Sequence, residues 1–397
     1  MSARVPNEQA RAALIASARE LAPVLASRLT CADELRRLPD ETITDFQRAG
    51  FFRILQPKRW GGFELDPRTF FEVQIEIAKA CASSAWVLGV VGAHAWQLGL
   101  FDEAAQRDVW ESDNSTLISS SYAPTGRVTR VDGGYEVSGR WSFSSGCDHC
   151  GWAFLGGFAP TAPDAKAPDM RTFLLPRSDY TIEDNWNTIG LRGTGSKDLV
   201  VERAFVPEHR THALIDGFRG KSPGQRVNPA PLYRLPFGQL FVRSVSTSCI
   251  GIAESALESF RATASKRVGA GDGAKVAIDP NVQRLCAEAS VALDEVKLVL
   301  FRNVDDLMQH AERGEQAPIA TRVRYRFDSS NAADRCAKLV SSLFNGAGGR
   351  VLFLGHPLLR AWLDANAARA HYANNPDKPA RNFGGVELDQ ANTDFFI

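Results

Sequence analysis

The sequence predicts an α+β protein in which a helical N-terminal domain, a central β-domain and a C-terminal helical bundle follow one another. Three observations carry this. Leu14, Ala18, Leu21, Leu25 and Leu29 recur at the three- and four-residue spacing of one helical face. Val128, Val131, Tyr135, Val137, Trp141 and Phe143 then lie among glycine turns, the signature of hairpins. Finally, Phe241, Val245, Cys249, Ile252, Ala256 and Phe260 form the apolar stripe of a long helix.

The first domain is expected over residues 1–115. Pro57 and the Gly61-Gly62 pair interrupt its periodicity, which resumes at Phe70. Its most apolar stretch, Ala85 to Phe101, is broken by His94 and Gln97. It is shorter than the about 20 apolar residues of a membrane-spanning helix, so it is expected to be a buried helix. The second domain, 116–215, has a hairpin at Asp132-Gly133-Gly134 and apolar bursts at 152–158, 172–175 and 199–206. These predict a compact β-barrel or sandwich of six to eight strands. In the third, 216–397, further stripes run from Leu285 through Val296 to Val304, over Ala332 to Phe344, and over Pro357 to His371. Four such helices pack as an antiparallel four-helix bundle with a tail beyond it. The segment 269–280 reads as a flexible link.

Composition narrows the function. Of 397 residues, 46 are basic and 46 acidic, giving no net charge. That speaks against nucleic acid or an anionic membrane as the main partner, since both favour a basic patch. Seven cysteines are few and odd in number, so a disulfide scaffold is not expected. The N-terminus lacks the apolar core of a signal peptide, and a cytoplasmic protein is the default.

Familiar catalytic signatures are missing: no Walker loop, no GxGxxG after a strand, no HExxH, no GxSxG. Cys147-Asp148-His149-Cys150 has half the ligands of a structural zinc site and no second half, so no metal is expected.

Three segments in order carry a family likeness. FQRAGFFRILQPKRWGGFEL (46–65), GLRGTGSKDLVVERAFVP (190–207) and FNGAGG (344–349) resemble the entry segment, the β-domain exit and the late glycine loop of the acyl-CoA dehydrogenase superfamily. Acyl-CoA dehydrogenases use a carboxylate near the end of the bundle to take a substrate proton. Here the corresponding ANAARAHYANNP (365–376) has no carboxylate, and Tyr372 stands at that position beside His371. SSSYAPTG (119–126), WSFSSGCDHCGW (141–152) and ARAHYANNP (368–376) instead resemble the oxygenase components of two-component flavin-dependent aromatic monooxygenases. Within these, the p-hydroxyphenylacetate 3-hydroxylase and phenolic seco-steroid (3-HSA) hydroxylase oxygenases are the nearest in pattern.

The resemblance implies a mechanism and a site. A separate NAD(P)H-dependent reductase would supply reduced flavin, FMN rather than FAD because adenosine contacts are missing, with FAD kept open. O₂ would form a flavin C4a-hydroperoxide that ortho-hydroxylates a phenol, bulky polycyclic or steroid-derived ones included. His371 would be the phenol base and Ser144 the hydroxyl at flavin N5, with Ser145 beside it. Ser120, Ser121 and Tyr122 would hold the pyrimidine edge. Arg267 and the loop Phe344, Asn345, Gly346, Ala347, Gly348 and Gly349 would hold phosphate, the two coming from different subunits of a homotetramer. The alternative for FNGAGG is a plain helix C-cap. His94, Trp96 and Tyr372 would meet the substrate, although a histidine on an apolar helix is more often a satisfied core residue. Trp141 reads as packing. Three alternatives stay open: an FAD-dependent acyl-CoA dehydrogenase, a nitrogen- or sulfur-oxidising monooxygenase, and a flavin-free scaffold protein.

Overall fold

The computed structural model describes residues 4–161, 168–268 and 273–397. Six helices come first: α1 (Arg4–Ser27), α2 (Leu29–Leu35), α3 (Asp40–Arg48), α4 (Pro67–Ala80), α5 (Ala82–Leu98) and α6 (Glu103–Trp110). The stripe of α1 turns inward, with Leu14, Ala18 and Leu25 buried. Asp66 starts α4 by accepting from the Arg68 N–H at 2.7 Å, with Pro67 at the first helical position, where its missing N–H costs nothing. α5 is apolar all round and buried nearly throughout, as its composition requires.

Eight strands follow: β1 (Ile118–Ser121), β2 (Arg127–Val131), β3 (Gly134–Ser144), β4 (Trp152–Ala159), β5 (Asp169–Pro176), β6 (Thr181–Glu183), β7 (Lys197–Pro207) and β8 (Thr211–Ala213). They form two four-stranded sheets, ordered β1-β4-β5-β8 and β2-β3-β7-β6. Tyr135, Val137, Trp141, Leu199 and Val201 of one sheet meet Ala153, Leu155, Phe173 and Leu175 of the other. The β-domain is thus a sandwich. Trp141 is packing, fully buried with its indole N–H on the Gly156 carbonyl at 2.8 Å. The expected hairpin joins β2 to β3 through Asp132 and Gly133, whose φ of +74° suits glycine. Near its end β3 slips register against β7 between Trp141 and Ser144, and Phe143 there takes φ +68°. This bulge sends Phe143 outward, 69 % exposed, and turns Ser144 fully inside.

The chain returns to helix with α7 (Leu214–Arg219), α8 (Phe237–Lys266), α9 (Pro280–Glu312), α10 (Ile319–Gly346), α11 (Pro357–Arg369) and α12 (Asp377–Glu387). α8 is the spine, packed by α9, α10 and α11 of the bundle and by α4 and α5 of the first domain. One apolar core therefore runs through both helical regions. Among the described residues α8 alone has the length and hydropathy of a membrane span, yet 89 % of that stretch is buried inside the molecule. The link expected at 269–280 falls partly on 269–272, outside the described residues; beyond them lie a bridge between Val268 and Lys275 and a short turn at Val276–Ile278. His371, expected on the last bundle helix, lies just past α11 and starts a single 3-10 turn, Tyr372–Asn374.

Candidate active site

Three regions distant in sequence meet where α5, the end of β3 and the turn after α11 converge. The Trp86 ring on α5 stands edge-on to His371, centroids 5.4 Å apart. Its indole N–H donates to Ser145 Oγ at 3.2 Å. Thr194 donates to the Leu191 carbonyl at 2.8 Å, so in the Ser145–Ser196–Thr194 chain, 2.7 Å at each step, the protons all run toward Leu191. Ser145 therefore spends its proton on Ser196 and acts as structural support. Ser144, next in the strand, is different. Its Oγ is buried and has no protein partner. A buried hydroxyl without a partner costs free energy unless a ligand supplies one, which fits the N5 edge of a flavin.

The two site histidines are set as opposite tautomers. His94 Nδ1 lies 2.6 Å from the Ile118 carbonyl, which can only accept, so the proton sits on Nδ1. Nε2 is then a bare lone pair, buried and without a partner. His371 Nδ1 accepts from the Ala373 N–H at 3.1 Å, so its proton sits on Nε2. Burial pulls both pKa values down to about 4, and for His371 the Arg326 charge adds to the effect. Both rings are neutral at pH 7. Sequence reasoning expects His371 to be a base; the structure presents it as a donor, because its Nδ1 lone pair closes the turn that follows.

Other expected contacts divide. Ser121 Oγ is occupied on the Ser142 carbonyl at 2.7 Å, and Ser120 is half-buried. The Tyr122 hydroxyl donates to Gln97, and its ring packs on Phe237 and Phe241 at 5.5 and 5.0 Å. Trp96 is buried in packing: its N–H is held by the Leu232 carbonyl at 2.9 Å and its ring stacks on Phe237. Two residues past His94, it points to another side of α5. Tyr372 also leaves the site. It is 65 % exposed, because the turn after α11 carries His371 inward and the next side chain outward.

The expected phosphate residues do come together, but within one chain. The Arg267 guanidinium donates to the Ala347 carbonyl, and a Cβ on Gly348 (φ +75°) would sit 2.2 Å from its Nη1. Within the chain Arg267 caps the C-terminus of α10, where a cation meets the helix dipole. Phe344 stacks on Trp362 at 5.1 Å, Asn345 is exposed, and Gly346 packs against Leu285. Arg267 and Gly349 line a cleft of about 1020 Å³ with Lys79, Lys266, Arg350 and Arg360. None of Ser144, His94 or His371 reaches it.

The Cys147–Cys150 segment serves packing. Both thiols are buried and point at backbone carbonyls, while Asp148 pairs with Lys197 at 2.9 Å. Sequence reasoning misses Trp86 as a site wall, and Thr247 and Asn374, each with a buried unpartnered oxygen. Their only sequence signal is proximity to motif residues.

The fold has known relatives. The acyl-CoA dehydrogenase N-terminal domain family matches residues 8–112, and the acyl-CoA dehydrogenase C-terminal domain family matches 244–376. The chain is 41 % identical over 378 residues to the flavin-dependent monooxygenase oxygenase subunit HsaA of Rhodococcus jostii RHA1, covering 95 % of this chain and 98 % of that one. It is 34 % identical over 371 residues to the oxygenase component of the FADH(2)-dependent resorcinol hydroxylase of a Rhizobium, covering 90 % and 89 %. The crystal structure of 3-HSA hydroxylase from Rhodococcus sp. RHA1 superposes with a TM-score of 0.92 at 40 % identity, over 97 % of this chain and 99 % of that one. The chain belongs to the oxygenase components of the two-component flavin-dependent monooxygenases built on the acyl-CoA dehydrogenase fold.

Proposed function

We propose that this oxygenase ortho-hydroxylates a phenol where α5, the end of β3 and the turn after α11 converge, with reduced flavin delivered by a separate NAD(P)H-dependent reductase. The observation that carries the reading is the buried, unpartnered Ser144 Oγ, next in the strand to Ser145, which takes the N–H of the same Trp86 that packs on His371. Reduced flavin supplies the electrons that divide O₂ between the aromatic ring and water. Every other task falls to the chain.

Ser144 offers its hydroxyl to the flavin ring, and the end of β1 with the residue after it, Ser120 to Tyr122, lies along the adjoining edge. His371 Nε2–H donates to the phenol oxygen. Full proton transfer to an imidazole with a pKa of about 4 is uphill by about 6 units from a phenol near 10, roughly 8 kcal/mol. The phenol proton is therefore not stored on His371. The proton leaves for solvent instead, and the ring N–H holds the phenolate oxygen, whose electrons move into the ring as the ortho carbon bonds to oxygen. His94, about 12 Å of helix beyond Trp86, gives its bare Nε2 to an N–H or O–H at the far end of the site. An acyl-CoA dehydrogenase needs a carboxylate where this chain has His371 and Tyr372, and 365–376 contains none.

FMN is the proposed flavin and FAD the second candidate. Arg267 lies 22 residues beyond Val245, about 33 Å of helix, and Val245 is the level where Asn374 docks on α8. Phosphate at Arg267 would thus belong to a flavin whose ring is seated in another subunit. Exposed Leu352, Phe353 and Leu354 beside that end suit the same assembly, a homotetramer. The deciding experiment supplies reduced FMN, ¹⁸O₂ and phenols to the purified protein. One ¹⁸O in an ortho-hydroxylated product supports the reading. Flavin reduction by an acyl thioester, with no labelled product, overturns it.

A further inference from the structure

Arg326 is a buried charge with no ion pair and no hydrogen bond to its Nε or Nη1 among the described residues. It lies on α10, 3 % exposed. No carboxylate among the described residues comes within the 4.0 Å of an ion pair with it. Its neighbours on α10 and α8 are spoken for: Ser329, one turn on, bonds Ser246 at 2.9 Å, and Arg243 is held by Gln239 and by the Tyr325 carbonyl. Asp394 faces the guanidinium from the tail, but its Oδ1 is taken by the Phe396 N–H at 3.0 Å and by Lys378 at 3.5 Å. The turn after α11 packs on α10, and the Arg326 charge is felt at the His371 ring. In the same cluster Asn374, fixed to the Val245 and Ala368 carbonyls through its amide nitrogen, keeps a buried Oδ1 with no donor.

Isolated buried cations are costly, and proteins keep them where a partner arrives later. An oxygen anion is the fitting partner, and on the reading above the acceptor beside His371 is the phenol oxygen. We infer that Arg326 supplies the counter-charge for a substrate bound as its phenolate, with His371 Nε2–H as the neutral donor to the same oxygen. This rests on the phenol-hydroxylating reading above and extends it. The phenol leaves its proton in solvent on binding, so no side chain needs to become an imidazolium. A carboxylate elsewhere on the substrate has the same chemistry, and the test separates the two.

The probe is 4-nitrophenol, whose absorbance reports its ionisation, titrated anaerobically into the protein carrying reduced FMN. A nearby opposite charge lowers an acid's pKa by about 1–3 units. The bound ligand is therefore expected to be the phenolate well below the pH at which the free ligand ionises. In Arg326→Met the ionisation moves back by about one unit or more, and affinity falls about tenfold. Arg326→Lys, which keeps the charge, restores part of the shift. Failure to bind, or binding in the neutral form, overturns the inference in the wild-type protein alone, whatever the folding of the variants. A tenfold preference for 4-hydroxyphenylacetate over 4-ethylphenol that vanishes in Arg326→Met would also overturn it, assigning the charge to a carboxylate. Because the readout is binding, loss of ¹⁸O transfer with an intact phenolate shift would sink the hydroxylase reading and leave this one standing.

Discussion

Trp86 and His371 meet edge to face, 5.4 Å between ring centroids and 71° between planes, across 285 positions of sequence. The contact locks the imidazole from one side while the Ala373 N–H fixes it from below. The ring is thus held in one orientation and one tautomer, and its Nε2–H is the group left to face a ligand.

His371→Asn tests that role without disturbing the turn. Asparagine is a good helix-start residue and can accept the Ala373 N–H in place of Nδ1. Thermal stability should stay near wild type while kcat/KM for phenol hydroxylation falls about 10²–10³-fold. His371→Ala should add a loss of about 1 kcal/mol in stability from the missing cap. Retention of hydroxylation within a few-fold in the asparagine variant would fit a nitrogen- or sulfur-oxidiser instead.

Ser144→Ala removes a hydroxyl that no protein group uses. Stability should therefore hold or rise slightly, since an unsatisfied buried group is removed. The dissociation constant for reduced flavin, read by anaerobic titration, should rise about threefold to tenfold, the loss of one neutral hydrogen bond. Ser145→Ala should behave in the opposite way, melting earlier, because Trp86 and Ser196 lose their partner.

Acid should destabilise the fold through its buried histidines. Burial lowers His94, His212 and His371 from 6.5 to about 4 in the folded protein. Between those values the unfolded chain binds more protons, so stability falls as the pH drops from about 6.5 towards 4. Asp364, raised to about 6 by burial, works the other way over part of that range. Three groups against one leave a net loss. Melting temperature should be level from pH 7 to 8 and should drop steeply below pH 6. His212→Gln, distant from the candidate site, should flatten the slope without altering hydroxylation at pH 7.

Gly348→Ala should loosen the end of α10. The position has φ +75°, and an added Cβ would drive into the Arg267 guanidinium. A loss of more than about 1 kcal/mol is expected from the backbone conformation alone. Chemical denaturation measures it. Gly349→Ala, which meets nothing within 4 Å, is the matched control.

The order of helical, β and helical regions was legible because hydrophobic period is a local property of the chain. The α8 stripe, the Asp132-Gly133 hairpin and the strands at 152–158 and 199–206 all stand where their periods put them. Ser144 and His371 could be singled out because their motifs resemble a family's. What those atoms can do was decided only in three dimensions. Whether an imidazole offers a lone pair or a proton depends on what its other nitrogen touches: a carbonyl from β1 for His94, a backbone N–H two residues on for His371. Trp96 and Tyr372 stand apart for the same reason, since two residues' step along a helix, or one along a turn, can reverse the direction a side chain faces. Arg326 left no mark in the sequence at all. A solvated arginine and a buried, unpaired one are spelled alike, and only the packing of α10 against α8 and the turn after α11 takes its water away.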